Sequence, residues 1–307
     1  MSYFNRNSWK LLLMSIMMIL TLAACGGEPA GGDADEGNGE GSEDVTTLER
    51  AQERGFVDVG FANERPYAYA TSSGELTGLN VEIAKAVFAK LGIEEVDGTL
   101  AQFGSLIPGL QAERFDVVTA GMYITPDRCE QATFAEPEYS IGEGLAVQEG
   151  NPLNLNSYED IIDNPDATIG IMTGAIEETY LKDMGIADGQ IQSVSDNASA
   201  IEALKAGRVD AITMTGPSLQ QVLDTHGDEG IERVMDFTQP VIDGESIRGY
   251  GSAVFRHEDT DFVEAYNEGL QELKDSGELL EIYEEFGFTE EELPGDVTTE
   301  SLCAPAE

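Results

Sequence analysis

Side chains that carry chemistry are scarce in this chain. Its 307 residues include two histidines, His226 and His257, and neither stands in metal-ligand spacing with a cysteine or the other histidine. The cysteines are Cys25, Cys129 and Cys303. No glycine-rich loop is built to cradle phosphates, and no Gly-x-Ser-x-Gly elbow presents a nucleophile. Gly249-Tyr-Gly-Ser252 looks like a fragment of a glycine motif and is read as a bend near a strand. Paired carboxylates, the usual sign of general acid–base work, are so abundant here that they carry almost no information. No catalytic residue, metal site or cofactor is assigned, and binding is expected rather than catalysis.

That abundance of acid is itself informative. There are 16 Lys+Arg against 59 Asp+Glu, a formal net charge of −43. Such a chain cannot neutralise a run of phosphates, so nucleic acid is excluded as a partner. Docking on an anionic membrane surface is excluded for the same reason. Hydrophobic residues make up 41% of the sequence and are spread along it, enough for a core. The length suits two domains better than one. A surface of this charge repels itself at low ionic strength, which points to exposure to brine, with an alkaline medium as the alternative.

At the amino terminus Arg6 and Lys10 precede the apolar run Leu11 to Ala24. It is too short for a membrane span of about 20 residues and suits a signal peptide over residues 1–24. The run ends Leu22-Ala-Ala-Cys25-Gly26, which resembles a bacterial lipobox. The resemblance implies cleavage before Cys25, lipid on its thiol, and an extracytoplasmic protein held at the cell membrane by that lipid alone. Gly26 to Asp44 is rich in Gly and acid, with no aliphatic residue larger than alanine to offset ordering entropy, and residues 25–45 are expected to form a flexible tether. Cys129 and Cys303 then remain as an even pair in an oxidising compartment, where a disulfide is expected.

The folded region repeats once. Leu106-Ile-Pro-Gly-Leu-Gln-Ala-Glu-Arg-Phe-Asp116 parallels Ala200-Ile-Glu-Ala-Leu-Lys-Ala-Gly-Arg-Val-Asp210, each read as helix, tight turn and buried strand. Around them strands are predicted at Val57–Ala62, Thr168–Ile171 and Ile191–Val194. Helices are predicted from about Asn80, after Gly174, and over Ala198–Ala206. Alternation of this kind argues for α/β lobes with largely parallel sheets, and the repeat argues for two of them. Phe262–Phe286 carries Phe262, Tyr266, Leu270 and Leu273 at helical spacing, with a solvated acidic face.

Several stretches resemble the bacterial family 3 extracellular solute-binding proteins. They are Phe61-Ala-Asn-Glu-Arg-Pro-Tyr67, Gly74-Glu-Leu-Thr-Gly-Leu-Asn-Val-Glu-Ile-Ala84, Gly121-Met-Tyr-Ile-Thr-Pro-Asp-Arg128 and Gly207-Arg-Val-Asp-Ala-Ile212. The resemblance spans about Thr47 to Phe286. It implies an α/β, two-lobed periplasmic-binding-protein fold of type II, with the ligand in a cleft between lobes joined by two hinge strands. Lobe 1 would comprise residues 46–141 and 250–307, and lobe 2 residues 146–244, with hinges at about 139–145 and 245–251. It also implies a monomer that delivers its solute to the permease of an ABC importer. Gly60-Phe-Ala-Asn-Glu-Arg-Pro-Tyr-Ala-Tyr-Ala70 resembles in particular the ectoine/hydroxyectoine-binding proteins.

Carried onto this chain, the resemblance assigns roles. Arg128 would hold the ligand carboxylate, as a planar fork suited to bidentate pairing. Tyr67, Phe103 and Tyr123 would wall a cage for a delocalised cation. Glu64 would accept N–H bonds from an amidinium, and Gly174 and Ile176 would offer backbone N–H groups at a helix start. Thr215 stands where amino-acid binders place an Asp for the α-ammonium, so a primary amine would be left unpaired. Ectoine, a cyclic amidinium with a carboxylate, fits this set. A compatible solute for osmoprotection agrees with the acidic surface of a halophile. The alternatives are a polar amino-acid-binding protein of the same family, or a cyclohexadienyl-dehydratase-like enzyme on the same fold.

Overall fold

The computed structural model describes residues 45–242 and 245–305. The signal segment, Cys25 and nearly all of the expected tether lie outside the described residues. No helix among those described is long and apolar enough to cross a membrane.

The chain builds two sheets of one design. In the first, the strands run in the order Glu95–Leu100, Phe56–Phe61, Val117–Tyr123, Gly249–Phe255 and Thr133–Phe134, and Tyr139–Ile141 also pairs with Gly249–Phe255. In the second, the order is Ile191–Val194, Ile169–Met172, Ala211–Thr215, Glu143–Gln148 and Ile231–Arg233. Each has three parallel strands followed by an antiparallel one. The fold is the two-lobed type II arrangement.

The sequence repeat is the seam of this symmetry. Asp116 Oδ2 accepts the backbone N–H of Asp58 at 3.2 Å, and Asp210 Oδ2 accepts that of Thr168 at 2.8 Å. Each Asp thus ties the start of a central strand to its parallel neighbour. The turns before them also match: Gly207 has φ +64°, and Glu113, at the equivalent place, has φ +54°. The left-handed turn suits glycine, so the first copy holds the same turn with a less compatible residue.

Apolar spacing decides which faces are buried. The helix Leu79–Lys90 buries Leu79, Val81, Ile83, Ala84, Val87 and Phe88. Its Ile83, Val87 and Phe88 share a core with Phe255, Phe262, Tyr266 and Leu270. The carboxy-terminal helical stretch is two helices, Thr260–Ser276 and Glu278–Glu285, broken at Gly277 with φ +85°. Glu281, Glu284, Glu285, Glu290 and Glu291 of this tail are exposed, whereas Glu278 and Glu292 are half-buried.

Candidate functional site

A short loop and a short helix bring the first-lobe residues together. Glu64 and Ala68 exchange backbone hydrogen bonds at 2.9 Å, turning the chain so that Glu64 and Tyr67 reach the same cavity. Thr125 caps the helix Pro126–Cys129, its hydroxyl accepting the Arg128 N–H at 3.3 Å, with Pro126 suited to the first turn. Cys129 of this helix is joined to Cys303 of the helix Thr299–Cys303, with Cα atoms 5.7 Å apart.

One cavity of about 30 Å³ is lined by Glu64, Tyr67, Phe103, Tyr123, Arg128, Ile176 and Thr215. These are the expected ligand contacts with one exception. Gly174 is absent from the lining; its carbonyl accepts the Arg128 guanidinium at 2.9 Å, and its Cα packs against Gly104, where a Cβ would lie 2.6 Å from Gly104 Cα. A space of about 600 Å³ adjoins this cavity, sharing Glu64 and Met172 with it, but lacks the rings and Arg128.

The walls are tyrosine-rich, and glycines make room for them. Tyr67 stacks on Tyr139 with centroids 5.2 Å apart, and Tyr123 lies 6.3 Å from Tyr139. A Cβ at Gly249 would sit 1.7 Å from Tyr123, and one at Gly251 would sit 2.3 Å from Tyr139. Gly249-Tyr-Gly-Ser252 is thus no bend: it lies inside the strand Gly249–Phe255 and seats two rings. Phe103 is approached by the Arg128 guanidinium, 5.6 Å from its centroid. Arg128 also donates to the Tyr123 carbonyl at 2.8 Å, so it enters the cleft already oriented and with donors to spare.

Polar contacts close the lobes on each other. Tyr67 donates to Thr215 Oγ1 at 2.8 Å. Glu64 Oε1 accepts from Asn197 Nδ2 at 3.0 Å and from Ser218 Oγ at 2.7 Å. Its neighbour Arg65 turns away, stacking over Tyr69 at 3.7 Å. Burial raises the Glu64 pKa from 4.5 to about 7, against the two hydrogen bonds that lower it. The carboxylate form is restored when a cation approaches.

Two buried carboxyls at the cleft escaped the sequence reading. Glu177 is 3% exposed and lines the cavity; Glu143 is 4% exposed and stands directly opposite Thr215 in the antiparallel ladder. An acid therefore lies beside the position where Thr215 had been taken to remove one. Burial raises the pKa of both Glu143 and Glu177; the charge of Glu177 raises that of Glu143 further, whereas Glu143 and Arg128 act to lower that of Glu177. In so acidic a chain nothing local distinguishes these two from their solvated kin; only strand register does. Tyr139 was foreseen merely as hinge backbone. Among the described residues no group of three or more His, Cys, Asp or Glu is placed to hold a metal ion.

With this geometry in hand, the relatives are informative. The family model of the bacterial extracellular solute-binding proteins, family 3, matches residues 57–290. A probable amino-acid ABC transporter periplasmic-binding protein of Sinorhizobium fredii is 37% identical over 264 residues, covering 85% of this chain and 87% of its own. The crystal structure of EhuB in complex with hydroxyectoine superposes with a TM-score of 0.78 at 33% identity, covering 85% of this chain and 98% of that one. An ancestral arginine-binding protein bound to arginine superposes with a TM-score of 0.65 at 30% identity, covering 76% and 98%.

Proposed function

The chain belongs to the bacterial extracellular solute-binding proteins of family 3, and from that membership we propose that the solute it captures for its ABC importer is ectoine or hydroxyectoine. The observation that carries this reading is the joint lining of one cavity by Tyr67, Phe103 and Tyr123, with Arg128 and Glu64 among them. Three rings suit a delocalised ring cation, each desolvated face contributing up to about 2 kcal/mol. Arg128 takes the carboxylate with its remaining donors, and Glu64 accepts an amidinium N–H. The hydroxyectoine complex of EhuB, alike over most of both chains, supports the same ligand class.

A cavity of about 30 Å³ holds little more than a water molecule or two, since one water needs roughly 10–15 Å³. The ligand therefore enters by opening of the lobes about the crossings near residues 139–145 and 245–251, and the contacts of Tyr67, Glu64 and Arg128 re-form around it. The protein works as a monomer tethered by lipid on Cys25, its acidic body facing a saline medium. The melting temperature then rises between about 0.1 and 2 M salt, a range over which charge repulsion is progressively screened; indifference to salt would remove the brine argument and leave the pocket.

One observation favours a second reading. Glu64 and Glu177 line the cavity with Arg128, and buried Glu143 is coupled to Glu177, an excess of acid that would suit a more cationic solute such as arginine. Calorimetry with ectoine, hydroxyectoine, glycine betaine, arginine and glutamine decides between them. Preference for ectoine or hydroxyectoine is expected; preference for an ordinary amino acid would sink the assignment. The dehydratase alternative requires product from prephenate or arogenate, and none is expected.

A further inference from the structure

The second lobe presents an acid pair that its own packing does not need. Glu143 is held from both sides of its backbone: its N–H donates to Gln239 Oε1 at 2.8 Å, and Gln239 Nε2 donates to its carbonyl at 2.8 Å. Yet among the described residues no donor reaches either oxygen of its buried carboxyl. What acts on it is another buried acid, Glu177, whose charge opposes its ionisation. Two coupled buried carboxyls do not both ionise readily; they hold a proton between them. Leaving such a group buried without a donor is costly.

The placement points into the ligand cleft. Glu143 is paired across the ladder with Thr215, and directly opposite residues share one face of a sheet. Thr215 and Glu177 both line the cavity, together with Arg128 and Tyr123. We infer that Glu143 and Glu177 form a cation subsite of the second lobe, which accepts N–H donors from the ligand's positive group and releases its shared proton to solvent on binding. Glu177 makes the contact; Glu143, behind it, sets its charge.

The surrounding groups leave this pair free to act. Arg128 favours ionisation of Glu177, and Glu64 opposes ionisation of Glu143. Tyr67, Tyr123, Tyr139, Tyr158 and Tyr180 face the pair as neutral phenols, since burial raises the pKa of each well above 10. Glu64, whose pKa burial raises to about 7, titrates in the same cavity, so its share must be subtracted. The inference rests on this cleft being the solute site, and does not require the solute to be ectoine.

Calorimetry of the full chain with ectoine, and separately with arginine, in two buffers of different ionisation enthalpy measures protons released per ligand bound. The wild-type chain releases protons at pH 7 with whichever solute binds. Glu177→Gln lowers that release and weakens binding about tenfold, the loss of one charge-assisted hydrogen bond. Glu143→Gln lowers the release while keeping affinity nearer the wild type, because Glu177 then ionises alone. Both variants should melt cooperatively, and Glu64→Gln measures the share to subtract. Unchanged release and unchanged affinity in Glu177→Gln would overturn the inference. Binding of arginine alone, with the proton release intact in the wild type and diminished in Glu177→Gln, would sink ectoine and uphold the acid pair; binding of neither solute would overturn both.

Discussion

Tyr67, in the first lobe, donates its hydroxyl to Thr215 of the second across 2.8 Å, though the two stand 148 positions apart. Thr215 Oγ1 also receives the N–H of Ser218 at 3.4 Å, capping the helix Gly216–His226. A ring expected to grip the ligand and a hydroxyl expected to replace an acid are thus partners, and their bond latches the closed cleft.

Tyr67→Phe keeps the ring and removes the latch. Ectoine affinity should fall by about 1 kcal/mol, the ordinary net contribution of a hydrogen bond. Thr215→Val should do the same, and the double variant should be little worse than either single one, because both delete one interaction. Calorimetry on the three variants checks this; additive losses would show that the two residues act separately.

Tyr123→Ala should weaken ectoine binding by about 1–2 kcal/mol, the loss of one cation–π wall. Gly249→Ala should weaken it without touching any ligand contact. Its new Cβ would lie 1.7 Å from the Tyr123 ring, so the ring must leave its seat. Affinity unchanged in both variants would remove Tyr123 from the cage.

The Cys129–Cys303 crosslink spans 174 positions and adjoins Arg128. Replacing both cysteines by serine should destabilise the protein by on the order of 4–5 kcal/mol in the loop-entropy model. Urea midpoints report that loss. Ectoine affinity should also drop, since the helix Pro126–Cys129 that carries Arg128 loses its anchor. A variant with an unchanged midpoint would exclude the crosslink from the stability of the fold.

Buried Glu138 accepts from Asn80 Nδ2 at 2.5 Å, Tyr266 Oη at 2.7 Å and the Ala253 N–H at 3.1 Å. Desolvation nevertheless raises its pKa from 4.5 to about 7. The folded state therefore holds a proton that the unfolded chain has lost. Its contribution is complete below pH 4.5 and disappears as pH rises through about 7, an effect of about 3 kcal/mol. Melting temperatures in high salt, where surface repulsion is screened, should fall from pH 5 to pH 8, and Glu138→Gln should flatten that slope. An identical slope in the variant would assign the effect to other acids.

Much of this molecule is legible without coordinates. Apolar spacing foretold the helix Leu79–Lys90 and the strand Phe56–Phe61 to within a residue or so, and the repeated helix–turn–Asp unit foretold two sheets of one design. Arg128, Tyr67, Phe103 and Tyr123 came from the family resemblance, and the structure brings all four to one cavity. The tail was read as one helical stretch, since periodicity is blind to the left-handed turn that Gly277 inserts.

What the sequence determined by itself was therefore whatever depends on neighbours along the chain: periodicity, caps, turns, and a surface charge too negative for nucleic acid. Only the tertiary structure decided which acids are buried beside the cleft. Glu143 and Glu177 resemble every other acid in the string, and they become distinct when strand register sets Glu143 against Thr215 and burial strips both of water. Likewise no local pattern foretold that Gly174 would pack against Gly104, leaving no room for a Cβ. Charge in water is cheap and anonymous; the same charge buried opposite a guanidinium is specific, and distance in space, not along the chain, makes the difference.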